Sequence, residues 1–225
     1  MLLLIADTSG PHGSVSLARS DFEGHLSLLE AAPLTGGAFS AELVPQIAGL
    51  LKRNKLSKQQ IDGFVVASGP GSFTGLRVGL AAIKGLAEIL EKPILAVSLL
   101  EAVALQSKTE GRVIAALDAG RQQAYVGEYE ISHDDPTPIS EKLLSREELF
   151  ALVKSAKPVA FATADETVIA WVQAAGIGVR HIERPSSEQL GRIGLKKLQR
   201  GEIMRPEELE ANYIRRSDAE IASSS

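Results

Sequence analysis

Two apolar runs, residues 2–6 and 113–117, each stop at an aspartate, pass through small turn residues and restart as a second strand-like stretch. A run of consecutive aliphatic side chains suits a strand buried on both faces, and Asp7 and Asp118 mark where each run must turn. The repeat of this opening predicts a duplicated α/β layout with a boundary near residues 107–111. A chain of 225 residues is long enough for two small cores.

The rest of the pattern fills in around these two strands. Residues 15–18 and 26–31 read as further strands, with the turn formers Asp21 and Gly24 between them and Gly36 and Gly37 after them. This predicts an antiparallel three-strand start. Leu43, Val44, Ile47, Leu50 and Leu51 recur at helical spacing, with Pro45 expected near the helix start, where a missing N–H does little harm. A buried strand over 62–68, a glycine loop, a helix over 73–91 closed by Pro93, and a strand over 94–97 make a βαβ unit, hence parallel pairing. A short helix over 98–106 follows. The second half is expected to continue with a hairpin partner at 124–129, a polar loop at 132–138, helices at 145–154 and 166–175 around a strand at 159–162, and a long helix at 188–200. Residues 222–225 read as a frayed tail.

The segment from Gly69 through Gly71, Ser72 and Gly75 to Arg77 lies between a buried strand and a helix, a place that offers free N–H groups and a positive dipole end to an anion. It matches neither common phosphate pattern. Gly75 is followed by Leu76 rather than Lys, and three residues, not two, separate Gly71 from Gly75. A tight strand-to-helix turn capped by Ser72 is the structural alternative. In the helix itself Gly75, Gly79, Ala82 and Leu86 share one face. Each interior glycine costs ~1 kcal/mol relative to alanine, so the pair points to close packing, either against the preceding helix or in a subunit interface. Asp7-Thr8-Ser9 after the first strand, and Asp118 after the first strand of the second half, resemble the two phosphate-contact turns of the actin, Hsp70 and sugar-kinase superfamily. Simple strand-end capping is the other reading.

Other chemistry is poorly represented. The absence of cysteine excludes disulfides, thiolate zinc sites and a thiol nucleophile. His12, His25, His133 and His181 are scattered, with no His-x-x-x-His or His-Glu-x-x-His pair, and surface positions are expected for them. There is no Gly-x-Ser-x-Gly elbow. A net charge of −4 does not suggest a dedicated nucleic-acid binder. Arg192, Lys196 and Arg200 form one basic stripe, read as a solvated helix face rather than a phosphate contact. The apolar run at the N-terminus is too short for a signal peptide or membrane span, and a cytoplasmic protein without cofactor or metal is expected.

Taken in order, LLIADTSGPHGSVSL, ELVPQIAGLL, GPGSFTGLRVGLAAIKGLA and PILAVSLLEAVA resemble the N-terminal half of the TsaB (YeaZ) family. LDAGRQQAYVGEY continues the likeness more loosely, and PSSEQLGRIGLKKL, Gly201, Pro206 and ANYIRR are similar to its closing pattern. The resemblance implies an α/β fold of two actin-like (ASKHA, ribonuclease H-like) halves, each a mixed sheet flanked by helices, expected over 1–106 and 107–225. It also implies a non-catalytic role in making threonylcarbamoyladenosine beside the anticodon of tRNA. The implied partners are the catalytic TsaD subunit and the ATPase TsaE, with self-association as a homodimer through the same surface and tRNA reached only through the complex. That surface is expected to involve Phe39, Leu43, Ile47 and Leu50 on one helix and Gly75, Gly79, Ala82 and Leu86 on the next.

The related TsaD subunit holds a metal with His-x-x-x-His, and the matching positions here are Leu99 and Val103, which have no lone pair to offer an ion. Phe39 stands where the family commonly has His. Asp118-Ala119-Gly120-Arg121-Gln122 departs from the family's Asp-Ala-Arg-Arg-Gly. An ATPase or kinase-like enzyme using the Asp7 and Gly69 turns, and a metallopeptidase, are the competing functions.

Overall fold

The structure is a computed structural model that describes residues 1–212 and Ile214. Most of the expected ANYIRR closing segment and the whole tail at 222–225 therefore lie outside the described residues.

Three strands open the chain, β1 (Leu2–Asp7), β2 (His12–Ser20) and β3 (Leu26–Thr35), followed by α1 (Phe39–Arg53), β4 (Gly63–Gly69), α2 (Phe73–Leu90) and β5 (Ile94–Ser98). Their sheet runs β3-β2-β1-β4-β5, antiparallel through β1 and parallel from β1 to β5, as the sequence predicts. β1 is buried along its whole length because helices cover both faces. Leu2, Leu4 and Ala6 join the cluster with Leu43 and Leu50 of α1 and Leu76 and Ile83 of α2. On the opposite face Ile5 meets α6 (Ser187–Gln199) at Gly191, and Val65 meets it at Gly194. A β-carbon at Gly191 would come within 2.7 Å of Ile5 and Leu26, so this helix lies close on the sheet only because glycine stands there.

The second sheet repeats the plan. It contains β6 (Gly111–Gly120), β7 (Gln123–Ser132), β8 (Asp135–Ser145), β9 (Ala160–Thr163) and β10 (Arg180–His181) in the order β10-β9-β6-β7-β8. α4 (Arg146–Ala156) and α5 (Glu166–Ala174) share a cluster with Ile114, Ala116, Val126 and Phe161. α3 (Leu99–Gln106) covers the other face, where Leu100 lies against Gly127. Two mixed sheets of matching strand order, each flanked by helices, are the paired actin-like, ribonuclease H-like fold.

Packing divides the chain into Met1–Ser98 with Ser186–Asn212, and Leu99–Pro185. This differs from the expected halves 1–106 and 107–225 at two helices. α3 follows the first sheet in sequence but packs on the second, whereas α6 follows the second and packs on the first. Two further expectations change. Pro45 is not near a helix start, because α1 begins six residues earlier at Phe39. Ala41 and Pro45 both lie on its exposed side, so water can reach the carbonyl that loses its N–H partner. The polar loop at 132–138 is a two-residue hairpin, His133-Asp134, with both φ positive at 53° and 56°, followed by an 11-residue strand. Pro136 and Pro138 argue against a central strand, but β8 is an edge, where proline is tolerated.

Candidate functional site

The Asp7-Thr8-Ser9 turn and the glycine loop, two separate candidates in the sequence, form one packed junction. β1 delivers the turn and the neighbouring β4 delivers the loop, because the two strands pair in parallel and end on the same side. The Ser72 N–H donates to the Ser9 carbonyl at 2.7 Å, and the Thr8 hydroxyl donates to the Gly75 carbonyl at 2.8 Å. Asp7 Oδ1 accepts from the Ser9 N–H at 2.9 Å and from the Ser9 hydroxyl. A β-carbon at Gly71, Gly75 or Gly79 would overlap Ser9 O, Thr8 O or Thr8 Oγ1 respectively. These three glycines are therefore explained by the turn beneath them. Asp7, Thr8 and Ser9 are only 6%, 2% and 2% exposed. The Thr8 and Ser9 hydroxyls and the Ser9 N–H, which a phosphate would need, are buried and already bonded.

Ser72 caps α2 as the structural reading of the loop expects, its hydroxyl oxygen accepting from the Gly75 N–H at 3.2 Å. What room remains beside the loop is an open pocket of about 490 Å³ next to the first turns of α1 and α2. Ser40, Ser72 and Thr74 supply hydroxyls to its lining, Pro11, Phe39 and Val78 supply carbon, and no charged side chain takes part.

The expected interface residues need revision. Phe39, Leu43, Ile47 and Leu50 are at most 5% exposed, and Gly75 and Gly79 are also buried, all within this unit. Phe39 sits so close to Gly13 that a β-carbon there would be 2.8 Å from its ring. Only Ala82 and Leu86 of the eight are partly exposed. Bulky aliphatic side chains at helical spacing mark the core side of α1, and its solvent side carries Ala41, Val44 and Ala48. On α2 the solvent side carries Ala81 and Ile89, with Val78, Ala82 and Gly85 half-buried. Gly85 faces open space. Of these positions the sequence reading singled out Ala82 for an interface and Val44 for the apolar stripe; Ala41, Ala48, Ala81 and Gly85 carry little hydrophobic signal. A side chain at 79, as in Gly79→Arg, would break the junction with Thr8 rather than probe an exposed face.

In the second unit, Asp118 is exposed at the end of β6, as is Gly120. Its carboxylate accepts from the Gly120 N–H at 2.9 Å, and its own N–H donates to Asp165 at 2.7 Å. Leu99 and Val103 are 1% and 0% exposed on α3, their aliphatic carbons part of the core. All four histidines are exposed. The tip of the β2–β3 hairpin gathers Asp21, Glu23 and His25, a grouping the sequence reading did not single out. Backbone bonds explain it. The His25 and Glu23 N–H groups donate to Asp21, and that of His25 contributes most to holding the carboxyl below its usual value. Arg192 of the basic stripe pairs with Glu188 at 2.7 Å, and Arg200 approaches Glu202 at 3.8 Å, so acids accompany the stripe. Among the described residues no helix is long and apolar enough to cross a membrane.

Comparison with known proteins agrees with this fold. The chain is 29% identical to the tRNA threonylcarbamoyladenosine biosynthesis protein TsaB of Bacillus subtilis over 98% of this chain and 96% of that protein. It is 32% identical to the Haemophilus influenzae protein of the same name, over 56% of this chain and 52% of that one. The solved structure of YeaZ from Pseudomonas aeruginosa superposes with a TM-score of 0.70 at 26% identity, covering 94% of this chain and 99% of the other. The model of the tRNA N6-adenosine threonylcarbamoyltransferase family matches residues 34–223, and the chain belongs to that family, TsaD.

Proposed function

We propose that this chain is an accessory, non-catalytic subunit in the biosynthesis of threonylcarbamoyladenosine in tRNA, docking a catalytic subunit of the TsaD type through the solvent sides of α1 and α2. The observation that carries the reading is the burial of Leu99 and Val103. They occupy the positions that match the metal-holding histidines of TsaD, and both side chains are packed in the core of the second unit. Neither has a lone pair, and burial leaves no room for an ion beside them. A TsaE-type ATPase completes the assembly, tRNA is met through the complex, and the cytoplasm is the compartment this work requires. The same helical sides suit a homodimer when the catalytic subunit is absent.

Kinase-like or ATPase function is disfavoured by the sealed Asp7-Thr8-Ser9 turn, whose polar groups are bonded internally. Calorimetric titration with magnesium ATP is expected to give no binding tighter than about 10 μM, which is about −7 kcal/mol.

The docking surface is tested with Gly85→Arg. Replacing a half-buried helical glycine whose β-carbon position is open raises helix propensity by about 0.5–1 kcal/mol, while a long cation on the docking side blocks close approach of a partner. The expected result is an unchanged or higher melting temperature with loss of co-elution with the TsaD-type subunit in size-exclusion chromatography. A folded variant that still co-elutes would place the interface elsewhere. For the catalytic assignment, tRNA modification is assayed with each subunit omitted in turn. Threonylcarbamoyl transfer by this chain alone would overturn it.

A further inference from the structure

We infer that Thr8 is a positioning residue for partner docking: with Gly79 it forms a key and notch that fixes how α2 stands on the sheet. The inference rests on the docking surface proposed above and assigns it a control point on the buried side of the helix.

The contacts are arranged along one edge of α2. At the loop, Ser72 N–H is tied to Ser9 O. One turn on, the Gly75 carbonyl accepts the Thr8 hydroxyl at 2.8 Å in a buried site. A further turn on, Thr8 Oγ1 would lie 2.2 Å from a β-carbon at 79, and the Thr8 β- and γ-carbons would crowd it at 3.3 Å. The Thr8 side chain thus lies between two successive turns of the helix, held by a hydrogen bond on one and by the absence of a β-carbon on the other. Its hydroxyl is inaccessible to any ligand, since Thr8 is 2% exposed.

Helix interiors disfavour glycine by ~1 kcal/mol each. Of the three in α2, Gly75 and Gly79 face the turn while Gly85 faces open space. The first two are therefore explained by contact with β1. Val78 and Ala82 flank Gly79, and Ala81 and Gly85 follow within two turns on the same rod. Close-packed interiors transmit displacement rather than absorb it. A β-carbon at 79 must push α2 outward or rotate it, carrying this whole side with it. The core contact of Thr8 and the docking geometry of α2 are two ends of one rigid element.

The test is a size-exchange cycle read by affinity for the purified TsaD-type subunit, with circular dichroism as the fold readout. Gly79→Ala is expected to weaken binding at least about tenfold while the helical spectrum is retained, and adding Thr8→Ala to it is expected to recover most of that loss. Thr8→Val, which keeps the shape and removes only the hydroxyl, is expected to weaken binding by about threefold or more, with Thr8→Ser close to wild type. Those two variants carry the test if Gly79→Ala does not fold. The inference is overturned if folded Gly79→Ala, or folded Thr8→Val, binds as the wild type does, or if the double variant binds no better than Gly79→Ala alone. Gly85→Arg serves as the control. Where it too binds normally, the docking surface itself is wrong and the inference falls with it; where it abolishes binding, the surface stands and the key and notch are judged alone.

Discussion

The two sheets share a strand order, yet the turns at the ends of their first strands have opposite fates. In the first unit Asp7-Thr8-Ser9 is buried under the loop and helix that follow β4. In the second, Asp118 and Gly120 stand exposed, and nothing lies within 4 Å of where a side chain at 120 would begin. The difference lies in the strand-to-helix connections. After β4 the chain offers Gly71 and Gly75, which let backbone lie against the Ser9 and Thr8 carbonyls, and Gly79, which admits the Thr8 side chain. After β9 it offers Ala164 and Asp165, and Asp165 accepts from the Asp118 N–H at 2.7 Å. A shared topology therefore provides equivalent places, and the glycine content of one short loop decides which place is closed.

The sharpest way to break this comparison is a methyl group on each side. Gly75→Ala forces a β-carbon into the Thr8 carbonyl and is expected to cost about 3 kcal/mol or more in urea denaturation. Gly120→Ala meets no neighbour, and its cost of about 1 kcal/mol comes only from a φ of +69°. Equal losses would mean that the first turn is not sealed by packing.

Removing the aspartates gives a smaller contrast. Asp7→Ala removes the carboxylate that accepts from the buried Ser9 N–H and hydroxyl and is expected to cost about 2 kcal/mol. Asp118→Ala frees an exposed N–H that water can satisfy, with an expected cost under about 1 kcal/mol. Thermal and chemical denaturation of both variants checks the order.

The smallest effect concerns helix starts. α4 begins with a reciprocal cap, in which Ser145 and Glu148 exchange side-chain and backbone bonds, whereas Ala38 before α1 has no capping side chain. The Ser145 N–H, and after it the Ser145 hydroxyl, hold the Glu148 carboxyl below its usual value. A lowered folded value means a contribution present above the unfolded glutamate value and lost as pH falls through the folded one. NMR titration of the Glu148 carboxyl is expected to place its midpoint below the ordinary glutamate range, and a midpoint at or above that range would remove the cap.

Much of the fold was legible because it rests on local rules. Consecutive aliphatics in β1 meant burial on both faces, Leu43, Ile47 and Leu50 meant a helix, and Ser72 meant a cap. The site was legible only in part. Leu43 and Leu50 looked like interface because a hydrophobic stripe has the same spacing whether it faces a core or a partner. The start of β8, residues 135–138, reads as loop because two prolines oppose a strand everywhere except at an edge, and edges are assigned only when strands are ordered.

Periodicity, glycine placement and the missing imidazoles at Leu99 and Val103 are properties of neighbours in the chain, and the sequence determined them alone. Which sheet α3 and α6 cover, and that Thr8 would lie between two turns of α2, were decided by the tertiary structure. Thr8 and the Gly75 carbonyl it meets are 67 positions apart, and no local preference records which of many small residues will be brought together.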